Sequence, residues 1–210
     1  MIIAVDGPAA SGKGTIARAL ARHYKLPHLD TGLLYRAVGQ TVLDRGGDPA
    51  NALEALAACD FTDDLLLDPR LKLAAAGNAA SVVSAHAAVR QALIDRQRAF
   101  ALQPGGAVLD GRDIGTVIAP DADVKLFVTA SLEARAERRW KEMHARGDPR
   151  TPEQITEDLR RRDERDRTRA EAPLRTAEDS VVLDTSDMTI EGAVAAAIAL
   201  VRDTAAAKSR

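Results

Sequence analysis

The 210-residue sequence predicts an α/β fold in which five parallel strands form a sheet with helices on both faces. Three observations lead to this prediction. Short apolar runs alternate with helix-forming segments, the first run leads directly into a glycine-rich loop, and three runs end on an aspartate. Successive parallel strands need a crossover connection, which is usually a helix. The length fits one domain, and ligands of such sheets bind at the carboxyl ends of the strands.

The glycine-rich loop follows the first predicted strand, residues 2–5, without a gap. It has the pattern Gly7-x-x-x-x-Gly12-Lys13 and runs into a predicted helix over 12–24. A strand, a glycine loop, a lysine and a helix in this order are the context of a phosphate-binding P-loop. The glycines allow backbone N–H groups to surround an anion, the helix start adds partial positive charge, and Lys13 adds a full charge.

One position departs from the usual pattern of this loop. Gly14 stands where Ser or Thr is expected, and Thr15 follows it. The hydroxyl group therefore comes one residue late for direct ligation of a metal ion. A chance glycine-rich turn is the alternative interpretation, and the flanking strand and helix argue against it.

The other elements are predicted from apolar runs, caps and helix breakers. Strands are predicted over 26–30, 107–110, 124–128 and 180–183. Helices are predicted from an N-cap at Thr31, over 51–59, over 89–100, from an N-cap at Ser131 to His144, from Thr151-Pro152 into the charged block 160–169, and over 189–202 before a frayed tail. Residues 50–85 are predicted to lie outside the main sheet, with weak strand character over 61–73 and a turn at Gly77-Asn78.

The composition limits the classes of protein that the chain fits. The net charge of -2 gives no reason to expect binding to nucleic acid or to a membrane. Cys59 is a single cysteine, so it forms no internal disulfide and fits a reducing compartment. The sequence has no run of the ~18 apolar residues that a membrane span needs, and its start lacks the basic region of a signal peptide. We therefore expect a cytoplasmic protein.

Three predicted strands end on a carboxylate, at Asp6, Asp30 and Asp110. Because the carboxyl ends of parallel strands share one edge of the sheet, these groups would lie beside the P-loop. Carboxylates in that place suit Mg²⁺ and hydroxyl groups. Asp6 and Asp110 are the metal candidates, and Asp110 is preferred, directly or through a water molecule, whereas Asp30 could equally cap the end of its strand.

Four further clusters narrow the function. They are Asp30-Thr31-Gly32-x-x-Tyr35-Arg36, Asn78-Ala-Ala-Ser81, Asp110-Gly111-Arg112-Asp113-Ile-Gly115-Thr116 and Arg162-Asp-Glu-Arg165-Asp166-Arg167-Thr-Arg169. In this order and at this spacing the chain resembles bacterial cytidylate kinases from residue 2 to about residue 200. The third and fourth clusters are specific signals, whereas the P-loop with Gly-Lys-Gly-Thr is shared by nucleoside-monophosphate kinases generally.

The resemblance implies transfer of the γ-phosphate of ATP to CMP or dCMP, with Mg²⁺ as cofactor and these small molecules as partners. It implies a P-loop NTPase fold with a single kinase domain over 1–210. The core would comprise 1–45, 91–140 and 161–210, an insertion that binds the nucleoside monophosphate would span about 46–90, and a lid would span about 141–160. A monomer is expected, because this fold closes around its substrates without a second chain.

The resemblance also implies site residues, one position at a time. The ATP-binding residues would be Gly7, Pro8, Ala9, Ala10, Ser11, Gly12, Lys13, Gly14 and Thr15. The CMP-binding residues would be Thr31, Arg36, Ser81, Arg90, Arg112, Asp113, Arg162, Asp166 and Arg169, of which Ser81, Arg90 and Asp113 would read the cytosine ring. The catalytic group would be Lys13, Arg112, Arg162 and Arg169. Phosphoryl transfer needs in-line placement and positive charge more than covalent work, and these cations could supply both.

Two assignments have a structural alternative. Asp113 could simply cap the following helix, although a carboxylate also suits the exocyclic amine of cytosine and would repel the carbonyl of uracil. The block 160–169 could be a solvated helix face, and Arg160 and Arg161 are expected on the surface. Candidates for lid groups that close over the phosphoryl group are Arg135, Arg138, Arg139 and Arg146. None of the four histidines is assigned a role.

Three other functional classes compete with this interpretation. A kinase for another acceptor, such as another nucleoside monophosphate or shikimate, shares the P-loop and lid, but the set of Ser81, Arg90 and Asp113 argues against it. A GTPase-like switch needs an Asn-Lys-x-Asp guanine reader, and both asparagines of this chain are followed by alanine. A nucleic-acid-binding protein is disfavoured by the balanced charge and the scarcity of aromatic residues.

Overall fold

The computed structural model describes residues 1–208 and contains a five-stranded, all-parallel sheet. The strands are β1 (Ile2–Asp6), β2 (His28–Asp30), β3 (Ala107–Gly111), β4 (Val124–Thr129) and β5 (Val181–Asp184), in the order β2-β3-β1-β4-β5. The central strand β1 pairs with β3, where Val5 lies opposite Asp110, and with β4 on its other side. The predicted number and direction of the strands are confirmed.

α-Helices lie between β1 and β2, between β2 and β3, between β4 and β5, and after β5. They are α1 (Lys13–Tyr24), α2 (Thr31–Asp44), α3 (Ala52–Ala57), α4 (Ala74–Val83), α5 (Ala87–Ala101), α6 (Leu132–His144), α7 (Pro152–Thr168) and α8 (Ile190–Lys208). The predicted starts of α6 and α7 are confirmed, because Ser131 accepts a hydrogen bond from the Ala134 N–H and Thr151 forms a capping box with Gln154. Within residues 1–208, no helix combines the length and the apolar character needed to cross a membrane.

The hydrophobic core lies on both faces of the sheet. Alternate side chains of β1 point to opposite faces, so that Ile3 and Val5 pack in one cluster with Leu20 of α1, while Ala4 packs with Leu109 in another. All five side chains are fully buried. Burial of an aliphatic side chain of this size stabilises a fold by about 1.5–3 kcal/mol. The sheet is therefore covered on both faces, as the sequence predicts.

The region outside the main sheet consists of short helices joined by turns and contains no strand within the described residues, so the predicted strand character over 61–73 is wrong. Two 3-10 helices, Asp63–Leu67 and Pro69–Lys72, occupy this stretch. The carboxylate of Asp68 accepts a hydrogen bond from the Arg70 N–H at 2.8 Å, which caps the second of them. Local capping by Asp68 and the fixed backbone angle of the following proline favour tight turns over extended chain.

The predicted turn at Gly77-Asn78 is also wrong, because both residues lie inside α4. A β-carbon built on Gly77 would lie 3.2 Å from the guanidinium nitrogens of Arg36. The glycine therefore serves close packing between α4 and the Arg36 side chain rather than chain reversal.

Two predicted helix ends differ from the structure. α2 begins at Thr31 itself, and Asp30 holds the N-cap position without a side-chain cap. The Thr31 hydroxyl instead donates a hydrogen bond to the Asp110 carbonyl oxygen at 2.9 Å, because β2 runs into α2 without a linker and turns this side chain inward. α8 continues past the predicted end at 202 to Lys208, through the helix-forming alanines 205–207. The end of the predicted frayed tail, residues 209 and 210, lies outside the described residues.

Candidate functional site

The loop between β1 and α1 has a backbone conformation that requires glycine at two positions, Gly7 and Gly12. A β-carbon on Gly7 would lie 2.0 Å from the Val128 carbonyl oxygen, and Gly12 has a φ of 88°. Ala10 between them also has a positive φ, of 60°, so the loop is held in a sparsely populated conformation. The free N–H groups at the start of α1 follow directly, which is the arrangement that binds phosphate.

A cavity of about 270 Å³, here called the P-loop cavity, opens in front of this loop. Its charged lining residues are Lys13, Arg18, Asp30, Arg36, Asp110, Arg112, Arg139, Glu142 and Arg162. Six of these nine side chains are cationic and three are acidic. A cavity with this excess of positive charge suits an anion that carries several negative charges.

The cations of the P-loop cavity destabilise one another. Burial and the neighbouring Arg112 lower the pKa of Lys13 to about 8. The same two causes lower the pKa of Arg162 to about 9, and the buried Arg162 Nε makes no hydrogen bond within residues 1–208. An anion placed among these groups would offset their repulsion and complete their hydrogen bonding. The structure therefore points to polyphosphate as the occupant.

A second, smaller cavity, here called the inner cavity, lies beside the first. Its polar lining residues are Thr31, Tyr35, Ser84, Arg90, Arg112, Asp113, Arg162, Asp166 and Arg169. Arg112 and Arg162 line both cavities. These two arginines therefore stand where groups bound in the two cavities would meet.

Asp113 lies in the wall of the inner cavity and pairs with two arginines. It forms an ion pair with Arg90, and Arg169 Nη2 lies 3.7 Å from Asp113 Oδ1. The Arg90 guanidinium also lies 5.6 Å from the ring centre of Tyr35, within cation–π range. Asp113 holds the N-cap position of the π-helical turn Ile114–Ile118, but its side chain makes no capping hydrogen bond within the described chain. The capping alternative for Asp113 is therefore wrong.

The charged block 160–169 covers the end of α7 and its C-cap residue, and its side chains divide between the inner cavity and the solvent. Asp166 accepts a hydrogen bond from Arg112 Nε at 2.9 Å and is 3% exposed. Burial alone would raise the pKa of Asp166, but Arg112 and Arg162 hold it below its ordinary value, so the carboxylate is ionised. Arg160 and Arg161 are exposed and pair with Glu157 in the same helix, as the sequence predicts.

Arg36 and Ser81, two further predicted residues, have different positions relative to these cavities. Arg36 lines the P-loop cavity and donates a hydrogen bond to the Leu71 carbonyl oxygen at 2.6 Å. Ser81 is buried and accepts a hydrogen bond from Arg165 Nε at 3.1 Å. Within the described chain the lining of the inner cavity includes Ser84, the C-cap residue directly after α4, but not Ser81. Sequence reasoning missed Ser84 and the partner role of Arg165, for which the sequence offers no local signal.

The carboxylates at the strand ends have separate roles. Asp6, one of the two metal candidates, is not among the described residues that line the P-loop cavity, and it accepts hydrogen bonds from the backbone N–H groups of 114 and 115. Asp110 Oδ1 accepts a hydrogen bond from His28 Nε2 at 2.7 Å, a role for His28 that sequence reasoning missed. Burial and the nearby Asp110 raise the pKa of Asp30. Asp30 and Asp110 thus remain as acidic groups that face the P-loop cavity.

These two carboxylates fit a magnesium ion better than a metal that needs a full set of protein ligands. Residues 1–208 contain no cluster of three or more His, Cys, Asp or Glu side chains able to hold a metal. Mg²⁺ in nucleotide sites keeps several waters and takes its other ligands from one or two carboxylates and from phosphate oxygens. The donor set is therefore of the kind that accepts Mg²⁺ together with a polyphosphate.

The four lid candidates in and after α6 differ in how far they are already engaged. Arg135 is buried and forms an ion pair with Asp163 at 2.7 Å, while Arg138 donates to the Thr185 hydroxyl at 3.1 Å. Arg146 donates to the backbone of residue 72. Arg139 pairs with Glu142 at 3.0 Å and is the member of this set that lines the P-loop cavity. Arg139 is therefore the lid arginine best placed to meet a phosphate group.

A third cavity, of about 350 Å³, adjoins the P-loop on the side of α8. Its apolar lining residues are Ala10, Ile16, Met188, Ile190 and Ala193. It shares Thr15 and Arg139 with the P-loop cavity. A mainly apolar cavity beside a phosphate site suits a purine ring.

Comparison with known proteins identifies the family of this chain. The chain matches the cytidylate kinase family over residues 3–203. A cytidylate kinase of Xanthobacter autotrophicus is 59% identical over 96% of this chain and 97% of the relative. Another, from Rhodopseudomonas palustris strain HaA2, is 54% identical over 100% of both chains.

Solved structures support the fold at lower sequence identity. A gluconokinase of Sinorhizobium meliloti aligns with a TM-score of 0.54 at 18% identity, over 99% of this chain and 95% of the other. An uncharacterised protein of Eubacterium ventriosum aligns with a TM-score of 0.57 at 13% identity, over 96% and 98% of the two chains. These two likenesses concern the fold alone.

Proposed function

The chain belongs to the cytidylate kinase family, and we propose that its three adjoining cavities divide the family's reaction between the two substrates. The enzyme is an ATP-dependent nucleoside-monophosphate kinase that transfers the γ-phosphate of ATP to CMP or dCMP. In our proposal the third, mainly apolar cavity binds the adenine of ATP, the P-loop cavity binds the phosphates of ATP, and the inner cavity binds the acceptor, CMP or dCMP. The observation that carries this division is that Arg112 and Arg162 line both the P-loop cavity and the inner cavity.

ATP would be held mainly through its phosphates. The loop 7–15 supplies backbone N–H groups and Lys13 supplies a full charge, which suits the β- and γ-phosphates. Arg139 would approach from the lid. Contacts of this kind accelerate the reaction, rather than merely bind substrate, when they are stronger in the transition state, where charge is spread over the equatorial oxygens of the transferred group.

CMP would be held at both ends. Arg36 and Arg112 would bind its phosphate, because planar guanidinium groups match phosphate oxygens in pairs. Asp113 and Arg90 would read the base edge, where cytosine presents an amine donor next to acceptor atoms. Asp113 accepts and Arg90 donates, so the pair is complementary to cytosine and mismatched to uracil, which presents a carbonyl in place of the amine. Asp166 and Arg169 would then lie beside the sugar.

The transfer itself requires placement and charge. The CMP phosphate is already anionic near neutral pH, so the site needs no general base to activate it. Arg112, Arg162 and Lys13 would offset the charge of the γ-phosphoryl group as it passes from one cavity to the other. Closure of about 46–90 and about 141–160 over the substrates would exclude water and so limit hydrolysis of ATP.

Mg²⁺ would be held by Asp110 and Asp30, directly or through water, together with the phosphates. When bound, it would neutralise phosphate charge and orient the phosphate oxygens. The hydrogen bond from His28 fixes Asp110 Oδ1, which leaves its second oxygen free for a ligand. We further propose that the enzyme acts as a cytoplasmic monomer without a nucleic acid partner, since one chain supplies all three cavities and ATP is an intracellular substrate.

Replacing Asp113 with alanine tests the acceptor site. We expect the KM for CMP to rise at least about tenfold, because a hydrogen bond to a charged group contributes about 1.5–3 kcal/mol. The KM for ATP should change by less than about twofold, and discrimination between CMP and UMP should fall. Steady-state kinetics with each substrate varied in turn would measure this. Asp121→Ala, at an exposed carboxylate, is the matched control; equal effects of Asp113→Ala on both KM values would contradict the assignment.

A further inference from the structure

Asp6 is a buried carboxylate that the reaction scheme above does not use. It is the last residue of β1, directly before Gly7 of the P-loop, and it is 5% exposed. Each of its oxygens accepts a separate backbone hydrogen bond, Oδ1 from the Ile114 N–H at 2.9 Å and Oδ2 from the Gly115 N–H at 2.8 Å. The carboxylate therefore joins the start of the P-loop to a segment more than a hundred residues later in the chain.

That segment carries the residues assigned to the acceptor. β3 ends at Gly111, and Arg112 and Asp113 follow outside any regular element before the π-helical turn begins at Ile114. The backbone N–H groups of Ile114 and Gly115, which directly follow Asp113, are thus held by hydrogen bonds to the Asp6 carboxylate. Fixing them limits the backbone angles through which Arg112 and Asp113 reach the inner cavity.

The local packing is built around this contact. A β-carbon on Gly115 would lie 3.4 Å from Asp6 Oδ2 and 3.1 Å from Lys125 Cδ, so glycine allows the N–H to approach the carboxylate. Burial raises the pKa of Asp6 to about 7, and the two backbone hydrogen bonds oppose that effect. A buried carboxylate is unfavourable unless its oxygens are satisfied, and here each one is. An asparagine would place an NH₂ group against one of the two N–H donors.

We propose that Asp6 is a positioning residue for the acceptor nucleotide, acting through the backbone of 114 and 115 on Arg112 and Asp113. This inference rests on the proposed function of the inner cavity. It differs from a purely structural role in one respect. Loss of the contact should affect CMP more than ATP, although Asp6 is adjacent in sequence to the ATP-binding loop.

The test is the Asp6→Asn variant, with CMP and ATP varied separately. We expect the KM for CMP to rise about tenfold, which corresponds to loss of one charged hydrogen bond, and the KM for ATP to stay within about twofold. Asp123→Asn is the matched control. Its carboxylate accepts the Ile2 N–H at 2.6 Å at the opposite end of the same strand, so it should leave both KM values unchanged.

The Asp113→Ala variant separates the inference from its premise. If Asp113→Ala raises the KM for CMP and Asp6→Asn does not, the positioning role is overturned while the acceptor site stands. If neither variant raises the KM for CMP, the acceptor-site assignment itself fails. Equal rises in both KM values with Asp6→Asn would indicate general damage and would also overturn the positioning role.

A second measurement needs no variant and covers the case in which Asp6→Asn does not fold. Amide hydrogen exchange of the wild-type protein reports the Ile114 and Gly115 N–H groups directly. CMP should increase the protection of both amides, since ordering of Arg112 and Asp113 and retention of these hydrogen bonds are then coupled. An ATP analogue should increase it less. Protection that does not respond to CMP would contradict the inference.

Discussion

Replacing Lys13 with alanine is expected to lower kcat by about 10³-fold while the fold stays intact. Removal of one group that stabilises charge in the transition state costs about 10²–10³ in rate, and the P-loop lysine carries a full charge at the phosphates. The coupled assay of ADP release with ATP and CMP would measure the loss. Arg22→Ala, at an exposed position on the same helix, should retain normal turnover. Near-normal turnover of Lys13→Ala would refute the role of this lysine.

The Lys13→Ala variant also tests the electrostatic effect of Lys13 on the stability of the nucleotide-free protein. Burial and Arg112 lower the pKa of Lys13 to about 8, which means that its charge is unfavourable in the nucleotide-free cleft. Removing that charge should therefore leave the free energy of unfolding of the nucleotide-free protein unchanged or higher. Chemical denaturation of both proteins without nucleotide would show it. A clearly less stable variant would indicate that Lys13 holds the fold together.

Replacing Arg112 with lysine is expected to lower kcat/KM for CMP by about 10²-fold. Lysine keeps the charge but loses the planar fork that meets phosphate oxygens in pairs, and misplacement of a reacting group by about 1 Å can cost as much. Arg112 lines both cavities and also donates to Asp166, so its geometry affects acceptor and transferred group together.

Arg160→Lys is the matched control for that variant, since Arg160 lies exposed on α7 and pairs with Glu157. It should behave as wild type. The comparison is made by steady-state kinetics with CMP varied at saturating ATP. A value of kcat/KM for Arg112→Lys within about twofold of wild type would mean that charge alone suffices at this position.

Local signals explain which parts of the fold could be predicted. The P-loop, the strands beside it and the starts of α6 and α7 each depend on neighbouring residues, such as the capping box between Thr151 and Gln154. The helical nature of 61–73 was missed because short 3-10 turns leave little periodicity, and capping by Asp68 outweighed the strand-like composition.

Long-range contacts explain what the sequence could not show at the site. The partners of Asp6 lie 108 and 109 residues away, and His28 meets Asp110 across 82 residues. The division of α7 into a cleft face and a solvent face depends on which neighbours cover each arginine, which a charge pattern does not reveal. The residues of the P-loop predict nucleotide binding but do not identify the acceptor. The identity of the acceptor was inferred from the order of the four clusters and from family membership.

A scan of acceptor molecules would show directly whether the inner cavity selects cytidine nucleotides. Release of ADP from ATP and Mg²⁺ would be followed with CMP, dCMP, UMP, AMP, GMP, dTMP and shikimate as acceptors. We expect strong turnover with CMP and dCMP, weak turnover with UMP, and none above the rate of ATP hydrolysis with the rest. Efficient turnover with another acceptor, or equal turnover with CMP and UMP, would contradict the assignment of Asp113 and Arg90 as readers of cytosine.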